Sequence, residues 1–349
     1  MTGRRVLLGI SGGTDSAYAA QLLKKDGYTV EGAVLKMHEY TDTLAASVAA
    51  KELDIPLHIV DCTKAFYDTV VENFLDEYQK ARTPNPCIVC NREVKFKFLL
   101  EYAEKNGFDY IATGHYAKKT EILTEDGVRY TVSRPADLSK DQTYMLYRLS
   151  QEELKKLLLP LAEEYKDQAR LVLRENGVSA ADSPDSQEIC FIPDNDYAAF
   201  IKERRTVSPK GNFIDREGRV LGEHNGIINY TVGQRKGLGI ALGARAFVTD
   251  INPADNTVTL DTSPKESSVV YVSSVIFSGM SEPKEIVTKT LSVKLRYRAR
   301  AAEAEVTFYP DGRAKLLLKE PQRSVTPGQS AVFYEGETVL AGGFIDGAE

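Results

Sequence analysis

The sequence predicts an α/β chain in three parts: an open, parallel, doubly wound sheet over residues 1–197, a small β-rich domain over 205–266, and an antiparallel β-barrel over 269–349. Three observations carry this. An apolar run, Val6 to Ile10, empties into the turn Ser11-Gly12-Gly13-Thr14-Asp15-Ser16 and directly onto a segment of helical spacing. Strand-like and helix-like segments then alternate, as a parallel sheet requires. After Arg204-Arg205 helical periodicity fades, and short strands separated by Gly, Pro and Asp take over.

Val6 to Ile10 is the first buried strand, and the helix after it spans Ala17 to Lys25 with Leu22 and Leu23 facing inward. Glycines allow tight turning and close backbone approach. The first amides of the following helix are unpaired and lie at the positive end of its dipole, so an anion fits at the turn. A second strand runs from Thr29 to Lys36, a helix from about Asp42 to Leu53, and a third strand from Ile55 to Val60. In Lys64 to Arg82, Phe66, Val70, Phe74 and Tyr78 repeat every four residues, which predicts a long amphipathic segment. A helix over Asn91 to Asn106 leads to a fourth strand, Tyr110 to His115, which ends on Gly114. Ligands sit outside the carboxyl ends of strands in such sheets, so the loops at Ser11, Leu35 and Gly114 are expected to converge on one pocket.

Ser150-Gln151-Glu152-Glu153 has capping-box spacing and opens a helix, and Lys166 to Asn176 is another, stopped by Gly177. Asp185 to Ile192 runs from a polar cluster into a short apolar strand that carries Cys190. Tyr230 to Gly239 is a glycine-rich basic loop, suited to a phosphate backbone or simply to turning. Strands at Leu291 to Tyr297, Ala304 to Phe308 and Ala314 to Leu318, with an Asp311-Gly312 hairpin turn, build the barrel. On the first of these, Lys294, Arg296, Arg298 and Arg300 share one face by period two. Ile286 to Arg300 holds five cations and no acid, a candidate nucleic-acid-backbone patch with a solvated strand face as the alternative.

Thr83-Pro84-Asn85-Pro86 stiffens the entry to Cys87-Ile88-Val89-Cys90. If Cys90 begins a helix, the dipole and Arg92 depress its pKa and favour the nucleophilic thiolate. Half of a zinc site, a thioredoxin-like dithiol and two inert cysteines are the other readings. Four cysteines in so long a chain do not make a disulfide framework, which points to a reduced, cytoplasmic protein. No stretch approaches the roughly 20 apolar residues of a membrane span, and no signal-peptide pattern precedes the first strand. A net charge of −6 argues against non-specific nucleic-acid binding, while leaving room for a local basic surface.

The glycine turn lacks the Gly-Lys-Ser/Thr of a Walker loop and the G-x-G-x-x-G of a dinucleotide loop. It matches the S-G-G-x-D-S loop of the ATP pyrophosphatase (PP-loop, adenine nucleotide hydrolase-like) superfamily. TPNPCIVCNREVKF, ATGHY, KDQTY, DSQEICFI, YTVGQRKGLG, KLRY and PQRSVTPGQSAVFY come after it in order, and with them nearly the whole chain resembles the tRNA-specific 2-thiouridylase (MnmA) family. That resemblance implies a tRNA-uridine 2-sulfurtransferase that uses ATP and Mg²⁺ to adenylate the 2-oxo group of the wobble uridine and replaces it with sulfur from a cysteine persulfide. It implies catalytic roles for Cys90 and Cys190, joined by a disulfide during turnover, and ATP binding by Gly9, Ile10, Ser11, Gly12, Gly13, Thr14, Asp15, Ser16, Leu35 and Gly114. Asn85, Pro86 and Cys87 are implied to lie against the target base, with His115, Lys140, Asp141, Gln142, Arg296, Tyr297 and Gln329 contacting the tRNA anticodon arm. No resident metal ligands are implied. The implied partners are tRNA and a sulfur-donor protein, with the chain monomeric when free. Cys87 stands where many members carry Asp, which leaves open which group handles the proton. Rival expectations are another PP-loop adenylating ligase or amidotransferase, an iron-sulfur-dependent RNA thiolase, and a non-catalytic RNA-binding protein.

Overall fold

The computed structural model describes residues 3–184, 189–240, 243 and 245–349. Strands β1 (Arg5–Gly9), β2 (Thr29–Lys36), β3 (Leu57–Asp61) and β4 (Tyr110–Thr113) join a short strand at Leu157–Leu158 in a five-stranded sheet. The order is β3-β2-β1-β4 and then Leu157–Leu158, and every pairing is parallel. Val6, Leu7 and Leu8 are fully buried because helices cover both faces. On one face Val6 and Leu8 pack with Ala17 and Ala20 of α1 (Thr14–Lys25) and Ala46 of α2 (Thr43–Glu52). On the other, Leu7 meets Phe96 and Leu99. Strand order reverses between β1 and β4, so the crevice beyond their carboxyl ends is flanked by the Ser11–Ser16 turn and Gly114.

Two helices depart from the sequence reading in the same way. The helix expected from Asn91 begins at Pro86, capped by the Asn85 side chain, which accepts the Cys87 amide at 3.2 Å. It passes through one π turn, Asn91–Lys95, before continuing as Phe96–Lys105. Helix Thr63–Phe66 likewise enters a π turn, Tyr67–Val71, and resumes as Glu72–Gln79. Such turns insert a residue and rotate the rest of the helix, and they concentrate at functional sites.

The second part is a four-stranded sheet ordered Phe247–Asn252, Thr257–Asp261, Gly211–Ile214, Val220–His224. The third is an eight-stranded sheet in which Glu266–Phe277 also pairs with Thr338–Ala348 and closes the barrel. Its core is Val270, Val293, Phe308, Leu316 and Phe333. Two of its eight strands, Lys118–Thr124 and Gly127–Ser133, come from the first part of the chain, and Ser133 is in register with Thr338. The first part and the barrel also share one core: Tyr144, Tyr147, Val332, Tyr334 and Val339 pack in a single cluster with Leu7 and Phe96. Among the described residues no helix is long and apolar enough to cross a membrane.

The structure overturns two local expectations. The strand expected over Leu291–Tyr297 ends at Lys294, so Lys294, Arg296, Arg298 and Arg300 do not form a period-two face. Lys294 is instead buried beside Asp141, 3.7 Å away. The residues around Cys190 form a turn, with the Ile192 amide bonded to Ile189 oxygen at 3.0 Å, in place of a strand. Asp185, Ser186, Gln187 and Glu188, the polar half of that motif, lie outside the described residues.

Candidate active site at a three-way junction

The nucleotide turn is preorganised by its own hydroxyls. Ser16 Oγ accepts the Ser11 amide at 3.2 Å and donates to Gly13 oxygen at 3.0 Å, while Ser11 Oγ accepts the Gly13 amide at 3.3 Å. Thr14 Oγ1 donates to Ala180 oxygen at 2.8 Å and Ser183 Oγ to Gly12 oxygen at 3.2 Å, which ties the turn to the segment leading toward Cys190. Gly12 has φ +80°, and a Cβ there would stand 2.6 Å from the Ala45 carbonyl carbon. Gly114 is required by crowding: its Cβ would lie 2.6 Å from the Asp15 carbonyl carbon and 2.7 Å from the Ser16 amide nitrogen. Gly9 and Ile10 lead into the turn, with the Ile10 amide bonded to Ala33 oxygen at 2.9 Å. Asp15 meets a cation that sequence reasoning missed: Lys166 Nζ lies 2.5 Å from Asp15 Oδ1 with its side chain only 7% exposed. An unpaired cation would be costly at that depth, so Asp15 and Lys166 fix each other. Lys166 was hidden because it opens a helix that periodicity alone explains.

The segment Thr83–Pro86 is where the three parts of the molecule meet. The Thr83 amide donates to Pro327 oxygen at 2.9 Å, Gln329 Nε2 to Thr83 oxygen at 2.8 Å, and Thr83 Oγ1 lies 3.1 Å from Thr231 Oγ1. The barrel and the central part of the chain thus hold the backbone that presents Asn85, Pro86 and Cys87. Pro86 occupies the first helical turn, where its missing N–H costs nothing. Cys87 is exposed on the next position, and Cys90 is buried one turn further, 7% exposed, its Sγ 3.6 Å from Met37 Sδ.

Cys190 reaches the same place from the opposite direction. Phe191 is buried among Phe66, Phe74 and Phe200, with ring centroids 5.4 to 5.5 Å apart. That aromatic cluster also contains Cys90, Cys62 and Leu35. Leu35 and Cys62 end β2 and follow β3, so the thiols lie at the carboxyl end of the sheet, as the nucleotide turn does. The Leu35 side chain, expected beside ATP, is 7% exposed and packs with the cysteines.

Burial governs the thiols. It pushes Cys90 up to about 12 and Cys190 up to about 11, and it raises Cys87 as well. Cys190 is exposed, yet the protein around its thiol outweighs that exposure. The expected depression of Cys90 by a helix dipole and Arg92 is corrected: Cys90 is a full turn inside its helix, and Arg92 donates to Arg148 oxygen at 2.9 Å. The cation that draws all three thiols down is Lys95. In an α-helix Lys95, five residues after Cys90, would point about 140° away. The π turn Asn91–Lys95, with its i to i+5 repeat, swings it back. Only the π turn places Lys95 here, so helical periodicity could not find it.

The residues assigned to tRNA by resemblance divide into two groups. His115 Nδ1 lies 2.9 Å from Thr113 Oγ1, its ring is 5.6 Å from Phe96, and burial followed by Lys95 pulls its pKa down to about 3, so it is neutral. Tyr297 is half-buried, with Lys294 Nζ 5.8 Å from the centre of its ring. These two border the thiols. Others brace the assembly: Asp141 accepts both Thr143 amide and hydroxyl and lies 3.7 Å from Lys294 of the barrel, and Gln142 Oε1 accepts the Tyr116 amide at 2.8 Å, while Lys140 ends the short helical turn Leu138–Lys140 just before them. Arg296 donates to Val232 oxygen at 3.1 Å, to Ser324 oxygen at 2.5 Å and to Thr326, which links barrel and central domain. Arg298 and Arg300 remain exposed.

Residues 4–194 match the tRNA methyl transferase HUP domain family, 198–261 the tRNA methyl transferase PRC-barrel domain family, and 268–345 the aminomethyltransferase beta-barrel domain family. The chain is 42% identical to a tRNA-specific 2-thiouridylase MnmA of Clostridium acetobutylicum, over 98% of this chain and 99% of that one. It is 42% identical to that of Acetivibrio thermocellus over 99% and 100%. A 4-thiouridine synthetase solved with RNA and bound ATP gives 18% identity and a TM-score of 0.38, over 57% of this chain and 50% of that one. Matched from end to end by such relatives, with the motifs in order and the thiols gathered at one junction, the chain belongs to the tRNA-specific 2-thiouridylase (MnmA) family.

Proposed function

We propose that this protein is an ATP-dependent tRNA sulfurtransferase of the cytoplasm that makes 2-thiouridine at the wobble position. The observation that carries the reading is that Cys90 packs in one buried cluster with Phe191 and Ile192, the residues after Cys190, with Cys87 one turn before it, at the same end of the sheet as the nucleotide turn. The anticodon arm rests against the junction, with the base entering beside Asn85, Pro86 and Cys87. The amides of the turn, held in place by Ser11 and Ser16, receive the ATP pyrophosphate. Mg²⁺ accompanies the ATP phosphates. Uridine O2 attacks the α-phosphorus and pyrophosphate leaves. The terminal sulfur of a Cys190 persulfide, supplied by a donor protein, adds at C2, and AMP departs with the oxygen. Cys90 then attacks Cys190 Sγ, the sulfur–sulfur bond breaks toward the base, and a thiocarbonyl remains. Neutral His115 and Lys95 border the reacting thiols.

The test is mass spectrometry of tRNA from cells lacking this protein. Wobble 2-thiouridine should vanish, return with the intact chain, and not return with Cys190→Ser. Retained thiolation in the absence of the protein refutes the reading.

A further inference from the structure

The Cys90 thiol has a partner that the proposed reaction does not use. Its Sγ donates to Met37 Sδ at 3.6 Å, within the buried cluster that also holds Phe191 and Ile192, the residues after Cys190. No disulfide joins Cys90 to Cys190, and both are free. Met37 follows the last residue of β2, and a tight turn sets its position. The amides of Met37 and His38 both donate to Thr41 Oγ1 at 3.1 Å, and the Thr41 amide donates to His38 oxygen at 3.1 Å. Asp42 then caps α2 by accepting the Ala45 amide at 2.8 Å. Local bonds thus hold the thioether at the carboxyl end of β2, while the thiol it meets comes from the helix that begins at Pro86. The charged and titratable groups around Cys90 are Cys87 and Lys95 on its own run of helix, Cys62 after β3, and Cys190. His38 stands next to Met37, its ring 5.4 Å from that of Phe66.

A thioether accepts a hydrogen bond and has no proton to give, so this contact favours the S–H form of Cys90 and opposes the thiolate. That matters because one attack has two outcomes. Once the terminal sulfur is bonded to C2 of the base, Cys90 thiolate attacking Cys190 Sγ releases thiouridine. Before then, the same attack on the Cys190 persulfide forms the Cys90–Cys190 bond and breaks the bond to the outer sulfur. The electron pair leaves on that sulfur, which is lost as hydrosulfide, and the Cys90 proton goes to solvent. The two cysteines are oxidised by two electrons, the outer sulfur is reduced, and the cargo is wasted. We propose that Met37 is a positioning residue that parks Cys90 as a thiol and so protects the Cys190 persulfide from discharge before transfer. This rests on the reading of Cys190 as the sulfur carrier and Cys90 as its partner. Burial, which pushes Cys90 up to about 12, works in the same direction.

The test uses the full-length protein, loaded with sodium polysulfide, desalted, mapped by mass spectrometry, and then held without ATP or tRNA. Met37→Leu nearly keeps the volume and removes the acceptor. It should release sulfide and accumulate the Cys90–Cys190 disulfide about three- to tenfold faster than wild type, the range expected for loss of one weak hydrogen bond. Its pH–rate curve should move to lower pH, and Met37→Ile repeats the measurement with a different shape. Alkylation of Cys62, buried in the same cluster, should keep its wild-type rate, which separates a lost acceptor from loosened packing. Equal release rates and superimposable pH curves in wild type and both variants would overturn the role of Met37 and leave the parent reading standing. Faster release accompanied by an equal acceleration at Cys62 would do the same. Thiolated tRNA made by wild-type protein that carries no sulfur on Cys190 would overturn both.

Discussion

Gly114→Ala isolates the contact between the end of β4 and the nucleotide turn. The added Cβ would stand 2.6 Å from the Asp15 carbonyl carbon and 2.7 Å from the Ser16 nitrogen, both backbone atoms of α1. Ordinary contact begins near 3.4 Å. The turn must therefore move by roughly 0.8 Å, the difference of those distances, and no flexible side chain can absorb it. Overpacking of this kind costs about 1–3 kcal/mol. The displaced atoms belong to the first helical residues, whose amides receive the phosphates in the proposed reaction, and a misplacement near 1 Å lowers rates by about 100-fold. The expected result is a fall of about 10- to 100-fold in kcat/KM for ATP, read as pyrophosphate release, with tRNA affinity unchanged. An ATP dependence within twofold of wild type would show that this contact does not set the geometry of the turn.

The junction yields three further outcomes. Lys95→Met should raise Cys190 and Cys90 further, and each unit of rise slows alkylation of Cys190 at fixed pH about tenfold. Lys95→Arg should restore the rate, and superimposable pH–rate curves for wild type and Lys95→Met would remove Lys95 from the site. His115 titrates at 6.5 when unfolded and at about 3 when folded, so below 6.5 the unfolded chain binds the extra proton and stability falls as pH drops toward 3. Urea unfolding at two pH values on either side of 6.5 should show this loss, and His115→Gln should shrink it; an equal loss in the variant contradicts the assignment. Arg296→Ala strands the acceptors at Val232, Ser324 and Thr326, at a cost of about 1–3 kcal/mol. Its Tm should drop while the salt dependence of tRNA binding keeps its slope, whereas loss of a phosphate contact would flatten that slope by about one ion.

Much of the site was legible because its signals are local. The Val6–Ser16 stretch combines a buried strand, a glycine turn and a helix start, and each is dictated by neighbours in the chain. The capping box at Ser150 and Glu153 forms as spaced, and α2 lies within one residue of its expected ends. The KDQTY motif was legible only as a motif. Tyr144 and Tyr147, just after its polar residues, are fully buried against Ser330, with the Tyr144 hydroxyl donating to Ser330 oxygen at 2.9 Å and that of Tyr147 3.0 Å from Ser330 Oγ. Nothing within a few residues of Tyr144 announces a partner 186 positions away.

By itself the sequence determined the parallel sheet, the position of the nucleotide turn, the change of grammar after Arg204-Arg205 and the ordered motifs of the family, because each depends on spacing along a short stretch. Tertiary structure alone decided that residues 118–133 complete the barrel sheet, that Arg296 and Asp141 brace the assembly, and that Cys90 is buried with the residues after Cys190. Burial depth and the rotation introduced by a π turn arise from packing between distant segments. Periodicity assumes 3.6 residues per turn and a known solvent side, and at this junction neither assumption holds.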